Sequence, residues 1–93
     1  MSDRIITRHP SGKKGVNISV EKYRTVRDVL ITILKEKGQI TYQELNRLAI
    51  DRLKANFEGS ISWYVVTVKL DLEANGLIER IPGTTPHQIK LIS

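Results

Sequence analysis

The side chains of this chain that could do chemistry are few and scattered. Its two histidines, His9 and His87, lie far apart in sequence, and neither has a carboxylate pair or a cysteine at the spacing a metal ion needs. Each reads as a surface or turn residue, with His87 able to meet a phosphate when protonated. Cysteine is absent, which removes thiolate nucleophiles, disulfides and thiolate metal sites together. Serines and threonines occur without a neighbouring base in any nucleophile motif, and the acids alternate with lysine and arginine as solvated charge does. Gly12-Lys13-Lys14-Gly15 could fold into a small anion-binding nest. It lacks the GxxxxGK[ST] spacing of a nucleotide-binding loop, and a solvated turn is the ordinary reading of such a segment. The expectation is a protein that is not an enzyme, with no catalytic residue, no metal and no cofactor.

Charge is more informative. Fifteen lysines and arginines oppose ten acids, a formal net charge of +5, which favours phosphate-bearing or acidic partners. The excess is not spread evenly. Residues 1–18 hold Arg4, Arg8, Lys13 and Lys14 against Asp3 alone, whereas residues 60–76 hold Lys69 against Asp71 and Glu73. The basic character therefore belongs to the N-terminal arm and the first helix.

The elements that must position these groups can be read in order. Ser19 is a good N-cap, Glu21 suits the positive end of a helix, and Lys35, Lys37 and Gly38 make a helix ending. Between them Tyr23, Val26, Leu30, Ile33 and Leu34 form one apolar stripe. After the short Gln39-Ile-Thr41, the run Thr41-Tyr-Gln-Glu44 is a capping box opening a second helix. Tyr42, Leu45, Ala49 and Leu53 form its buried face with Leu48 beside them; it should end near Ala55-Asn56, with Phe57 tucked beneath.

Residues Ile61 to Asn75 send two signals. Val66 to Leu72 alternates with the period of a strand, yet Ile61, Val65, Val68 and Leu72 share one helical stripe. Ser60 as a cap and Leu-Glu-Ala-Asn-Gly76 as an ending favour a third helix. Leu77–Ile81 and Ile89–Ile92 read as strands flanking a loop with two prolines and a glycine. Before all of this, Arg4–Arg8 alone in the arm looks strand-like, and Ile5, Ile6, Val16 and Ile18 are available to pair or pack.

Ninety-three residues, 40% hydrophobic and 27% charged, suit one small globular domain rather than a disordered chain. No segment has the apolar core of a signal peptide or the length of a membrane span, so the expected location is cytoplasmic, away from membranes.

The order of arm, helix, short strand, helix, helix and hairpin is the winged helix-turn-helix plan. Leu72-Glu-Ala-Asn-Gly-Leu-Ile-Glu-Arg-Ile-Pro-Gly83 resembles the third-helix end, first wing strand and wing turn of many bacterial winged-helix regulators. Residues 38–60 resemble their helix-turn-helix entry. The expected fold is α+β, with residues 1–18 as a basic arm and 19–93 as the winged-helix domain. A narrower resemblance rests on His9-Pro10, Gly12-Lys13, Gly15-Val-Asn-Ile18, Phe57-Glu-Gly-Ser-Ile61, Trp63-Tyr64 and Val68-Lys-Leu-Asp-Leu-Glu-Ala74. These are similar to a family of small uncharacterised bacterial proteins, which implies a full-length unit and no mechanism.

Two functions follow as expectations. A winged-helix regulator lays its third helix in the major groove of double-stranded DNA and its wing along the backbone. Ser60, Ser62, Thr67 and Lys69 would then meet DNA from the third helix. Arg80, Thr84, Thr85, His87 and Lys90 would do so from the wing, and Lys13 and Lys14 from the arm. Such binding would be phosphate-led, with low sequence discrimination and a role in transcription regulation. Against it, a helical wheel places Trp63, Val66 and Leu70 opposite the core stripe, so the third helix is apolar nearly all round. It also lacks the Arg, Asn or Gln that read base edges. The alternative is a protein-interaction module or homodimer in which Trp63, Val66 and Leu70 form the contact; cover by the arm within one chain is the plainer outcome for the same residues.

Overall fold

The computed structural model describes residues 3–13, 15–83 and 86–92. Two short strands open the chain, β1 (Arg4–Ile6) and β2 (Asn17–Ser19), paired antiparallel with Ile5 opposite Ile18. The two-residue period of a strand puts Ile5 and Ile18 against the core and leaves Ile6 exposed. Beyond β1 the pairing continues through Thr7 N–H to the Val16 carbonyl at 2.9 Å. Gly15 makes this possible: a Cβ there would lie 1.6 Å from the Thr7 carbonyl oxygen.

The chain passes directly from β2 into α1 (Val20–Lys37). Ser19 Oγ accepts from Lys22 N at 3.4 Å, and Gly38, at φ +80°, donates its N–H to the Leu34 carbonyl to close the helix. The expected stripe is the one that is buried: Tyr23, Val26, Leu30, Ile33 and Leu34. Strand β3 (Gln39–Thr41) follows, and Thr41 Oγ1 caps α2 (Tyr42–Leu53) by accepting from Glu44 N at 3.2 Å. The second helix closes at Leu53, earlier than the sequence suggests, because residues 54–56 form a turn in which Asn56 and Phe57 both donate to the Leu53 carbonyl.

The ambiguous segment is a helix, α3 (Ile61–Ala74), capped by Ser60 Oγ accepting from Trp63 N at 3.3 Å. Asn75, Gly76 and Leu77 donate to the carbonyls of Asp71, Glu73 and Leu72, so those last-turn acceptors are satisfied. The strand-like alternation was therefore a coincidence of composition. Val68 and Leu72 enter the core, while Val66 and Leu70 stay half-buried on the far side.

Strands β4 (Ile78–Ile81) and β5 (Gln88–Leu91) complete an antiparallel sheet of order β3-β5-β4, with Ile40 and Arg80 both opposite Ile89. Among the described residues, three helices and two small antiparallel sheets thus form one mixed α+β unit. Its core joins the α1 stripe to Leu45, Ala49 and Leu53 of α2, Val65, Val68 and Leu72 of α3, and Ile78 and Ile89 of the sheet. Burial of each large aliphatic side chain of this kind contributes about 2 kcal/mol. Among the described residues, no helix is long and apolar enough to cross a membrane.

Candidate functional site

Two flanks of the third helix touch different neighbours and a third is open to solvent, and its polar residues sort accordingly. One flank lies under the β1–β2 hairpin. There Asp71, 2% exposed, accepts from the Arg8 backbone N–H at 2.8 Å, from the Tyr23 hydroxyl, and from Asn75 Nδ2 at 3.1 Å. A carboxylate held by three donors is a strong junction, because each bond is charge-assisted and the acid itself is buried. Burial, and then the hydrogen bond to Asp71, push the Tyr23 phenol above its usual pKa. One acid therefore ties the hairpin, α1 and α3 together. Thr67 is buried on the same side, where it shares with Thr7, Val16 and Leu70 the lining of a cavity of about 80 Å³.

The second flank faces α2 and β4. Lys69, also buried, pairs with Glu73 one turn along, and Arg80 Nε approaches the same carboxylate oxygen at 3.7 Å. The Lys69 ammonium sits 5.7 Å from the centre of the Tyr42 ring, a cation–π distance, and burial raises the Tyr42 pKa. Near the start of the helix, Asn46 Nδ2 donates to Ser62 Oγ at 3.4 Å.

The third flank is open to solvent and apolar. Trp63 is 43% exposed and stands edge-on to Tyr64 at 4.9 Å between centroids; Val66 and Leu70 follow it, half-buried, with Leu70 at the edge of the cavity under the hairpin. Tyr64 in turn meets Phe57 edge-on, and the Lys22 ammonium lies over both rings at 5.3 and 5.6 Å.

Placed on this frame, the residues singled out from sequence do not form one surface. Thr67 and Lys69 are turned inward, and Ser62 is exposed beside Asn46. Ser60 is spent on capping the helix. On the hairpin of β4 and β5, Lys90 Nζ lies 3.4 Å from Glu79 and Arg80 leans on Glu73, while His87 is exposed. Lys13 is exposed on the arm; Lys14, Thr84 and Thr85 lie outside the described residues. Trp63, Val66 and Leu70 do line one face.

Asp71 was missed as a structural centre, as were Tyr23, Asn75 and the Arg8 amide that serve it. The available signal was an acid between Leu70 and Leu72 in an apolar helix, where burial demands partners. Among the described residues, no group of three or more His, Asp or Glu could hold a metal ion.

No match to the chain was found among curated proteins or among solved structures. The model of a family of unknown function matches residues 4–89, from the first strand of the hairpin into β5, so hairpin, helices and sheet fall within one matched unit. The chain belongs to that family, DUF6958.

Proposed function

We propose that the chain is a winged helix-turn-helix scaffold whose third helix makes a protein contact, with a second copy of the chain as the partner. The order α1-β3-α2-α3-β4-β5 and the sheet order β3-β5-β4 support the scaffold. The observation that carries the function is the inversion of α3. Its charged side chains point inward and are paired, while its free face presents Trp63, Val66 and Leu70. A groove-reading helix needs the reverse, with donors and acceptors outward for base edges. An exposed tryptophan bordered by aliphatic side chains is the composition of an interface centre. Val16, 37% exposed, borders Leu70 across the small cavity and extends that surface onto the hairpin.

Sedimentation equilibrium tests this. The expected result is a dimer whose dissociation constant is insensitive to salt and which Trp63→Ala converts to monomer with an unchanged fold. A chain that stays monomeric at millimolar concentration overturns it.

A second reading, DNA binding in a regulatory role, is favoured by the exposed cations Arg8, Lys13 and Arg24 on the arm and α1. It places contacts on phosphates and gives low sequence discrimination. A duplex added to the same sedimentation run separates the two, because phosphate-led binding weakens steeply with salt.

A further inference from the structure

We infer that the turn of the arm is a binding site for a phosphoryl group, held by Arg8, His9 and Lys13. It adjoins the proposed protein contact without using Trp63, Val66 or Leu70: Arg8 and His9 also line the small cavity beside Val16 and Leu70, whereas Gly12, Lys13 and Ala74 line only the larger concavity.

A concavity of about 360 Å³ lies between this turn and Ala74, near the end of α3, and Arg8, His9, Gly12 and Lys13 line it. Its size falls within the range of small-ligand pockets. The turn is ordered from within: Gly12 N–H donates to the His9 carbonyl at 3.0 Å, with Gly12 at φ +78°. His9 Nδ1 accepts from Ser11 N at 3.1 Å. In that arrangement Nδ1 is the acceptor, which is the pattern of the Nε2–H tautomer. Nε2 then bears the N–H, so the ring offers a donor.

The charge balance of the site is one-sided. Arg8 and Lys13 are both exposed, and among the described residues neither cationic head has an ion pair. No acid lines the concavity. The nearest junction acid, Asp71, is buried and already accepts three hydrogen bonds. One of those comes from the Arg8 backbone, so the residue is anchored by its main chain while its guanidinium stays uncommitted. The residues that line the hollow bring a planar fork, an ammonium and an imidazole, the groups that suit the oxygens of a phosphoryl group. The last-turn carbonyls of Asp71, Leu72 and Glu73 are capped by backbone N–H groups, which reduces the negative end of α3 near the anion.

The test is a ¹⁵N NMR titration of the full chain with sodium phosphate, ionic strength being held constant with sodium chloride. The expected result is saturable shifts confined to the amides of residues 7–13 and 74. In the double variant Arg8→Gln, Lys13→Gln the affinity falls at least about tenfold, the loss of charge-assisted hydrogen bonds. The Thr7 and Val16 amides report that the hairpin still pairs in that variant, since Asp71 holds the Arg8 main chain. Adenosine monophosphate and a 12-base-pair duplex then assign the source. If the duplex shifts the same amides at lower concentration than phosphate, the group belongs to a nucleic-acid backbone. If only the mononucleotide does so, it belongs to a small ester. Shifts that fail to saturate, that spread to Arg24, Lys35 and Lys37, or that the double variant retains would mean an adventitious ion only, and would overturn the site.

Discussion

The second and third helices run side by side yet place their charges in opposite ways. On α2 the ions are at the surface: Arg47 bridges Glu44 at 2.6 Å and Asp51 at 3.6 Å, Lys54 reaches Asp51, and Arg52 crosses to Glu36 of α1. On α3 the ions are inside, with Lys69 against Glu73 and Asp71 under the hairpin, and the free face is apolar. The difference follows from neighbours. The second helix packs through one stripe and has solvent on its other sides, whereas α3 is flanked by the hairpin, by α1 and by α2 with the sheet. Every side of α3 but one is therefore a packing surface. A polar residue there must find a partner in the protein, and the remaining side carries what the interior did not use. Surface pairs such as those of α2 contribute little, while a buried charge left alone costs several kcal/mol.

Three substitutions break or sharpen that contrast. The largest effect belongs to Asp71→Ala, which strands the buried Tyr23 hydroxyl and removes the acceptor of the Arg8 N–H and the Asn75 amide; urea unfolding should show a loss of about 3 kcal/mol. A loss under about 1 kcal/mol would mean that water replaces the carboxylate and that the junction is not closed.

Tyr23→Phe should cost less, about 1–2 kcal/mol near neutral pH, since Asp71 keeps two of its donors. It also changes the alkaline limb. The folded-state pKa of Tyr23 is raised, so folding favours the protonated phenol. That contribution is complete below the unfolded value near pH ~10 and is lost as pH climbs beyond it. Tyr42 is shifted in the same direction by burial. Stability measured between pH ~9 and ~11 should accordingly fall more steeply in the parent protein than in Tyr23→Phe. Parallel slopes would remove Tyr23 from the linkage.

The smallest effect belongs to α2. The hydrogen bond from Arg47 holds the Glu44 carboxyl below its usual range, and the Arg47 side chain is 60% exposed. Arg47→Gln should let the Glu44 titration, followed by NMR, return toward the ordinary glutamate range without moving the unfolding midpoint. A shifted midpoint would place α2 closer to α3 than their surfaces suggest.

What could be read from sequence was local. Ser19, Thr41 and Ser60 each cap the helix expected of them, and the α1 stripe from Tyr23 to Leu34 is the buried one. These features depend on residues a few positions apart, where side-chain type and spacing decide the outcome. The capping box at Thr41 was only half right, because the Glu44 side chain turns to Arg47. What could not be read was long-range. Ile5 and Ile18 were available to pair, and they do, but the register of Asn17–Ser19 on Arg4–Ile6 was not legible, since it rests on Gly15 permitting close approach. Asp71 finds its partners 48 and 63 residues away, beyond any periodicity. Lys69 was expected to face DNA, and Asp71 looked like solvated charge, because a wheel records only the angle of a residue, and not what occupies that direction.

The position of β5 in its sheet has a mechanical consequence. It is the only described strand that bonds to two others, joining β3 on one side and β4 on the other. One of these leads straight into α2 and the other follows α3 after the short turn of residues 75–77. A force drawing β5 along its own axis loads both ladders in shear at once, since their hydrogen bonds run across the strand. Strain at that one strand therefore reaches the entry of α2 and the exit of α3 together, and the sheet acts as a yoke between the two helices.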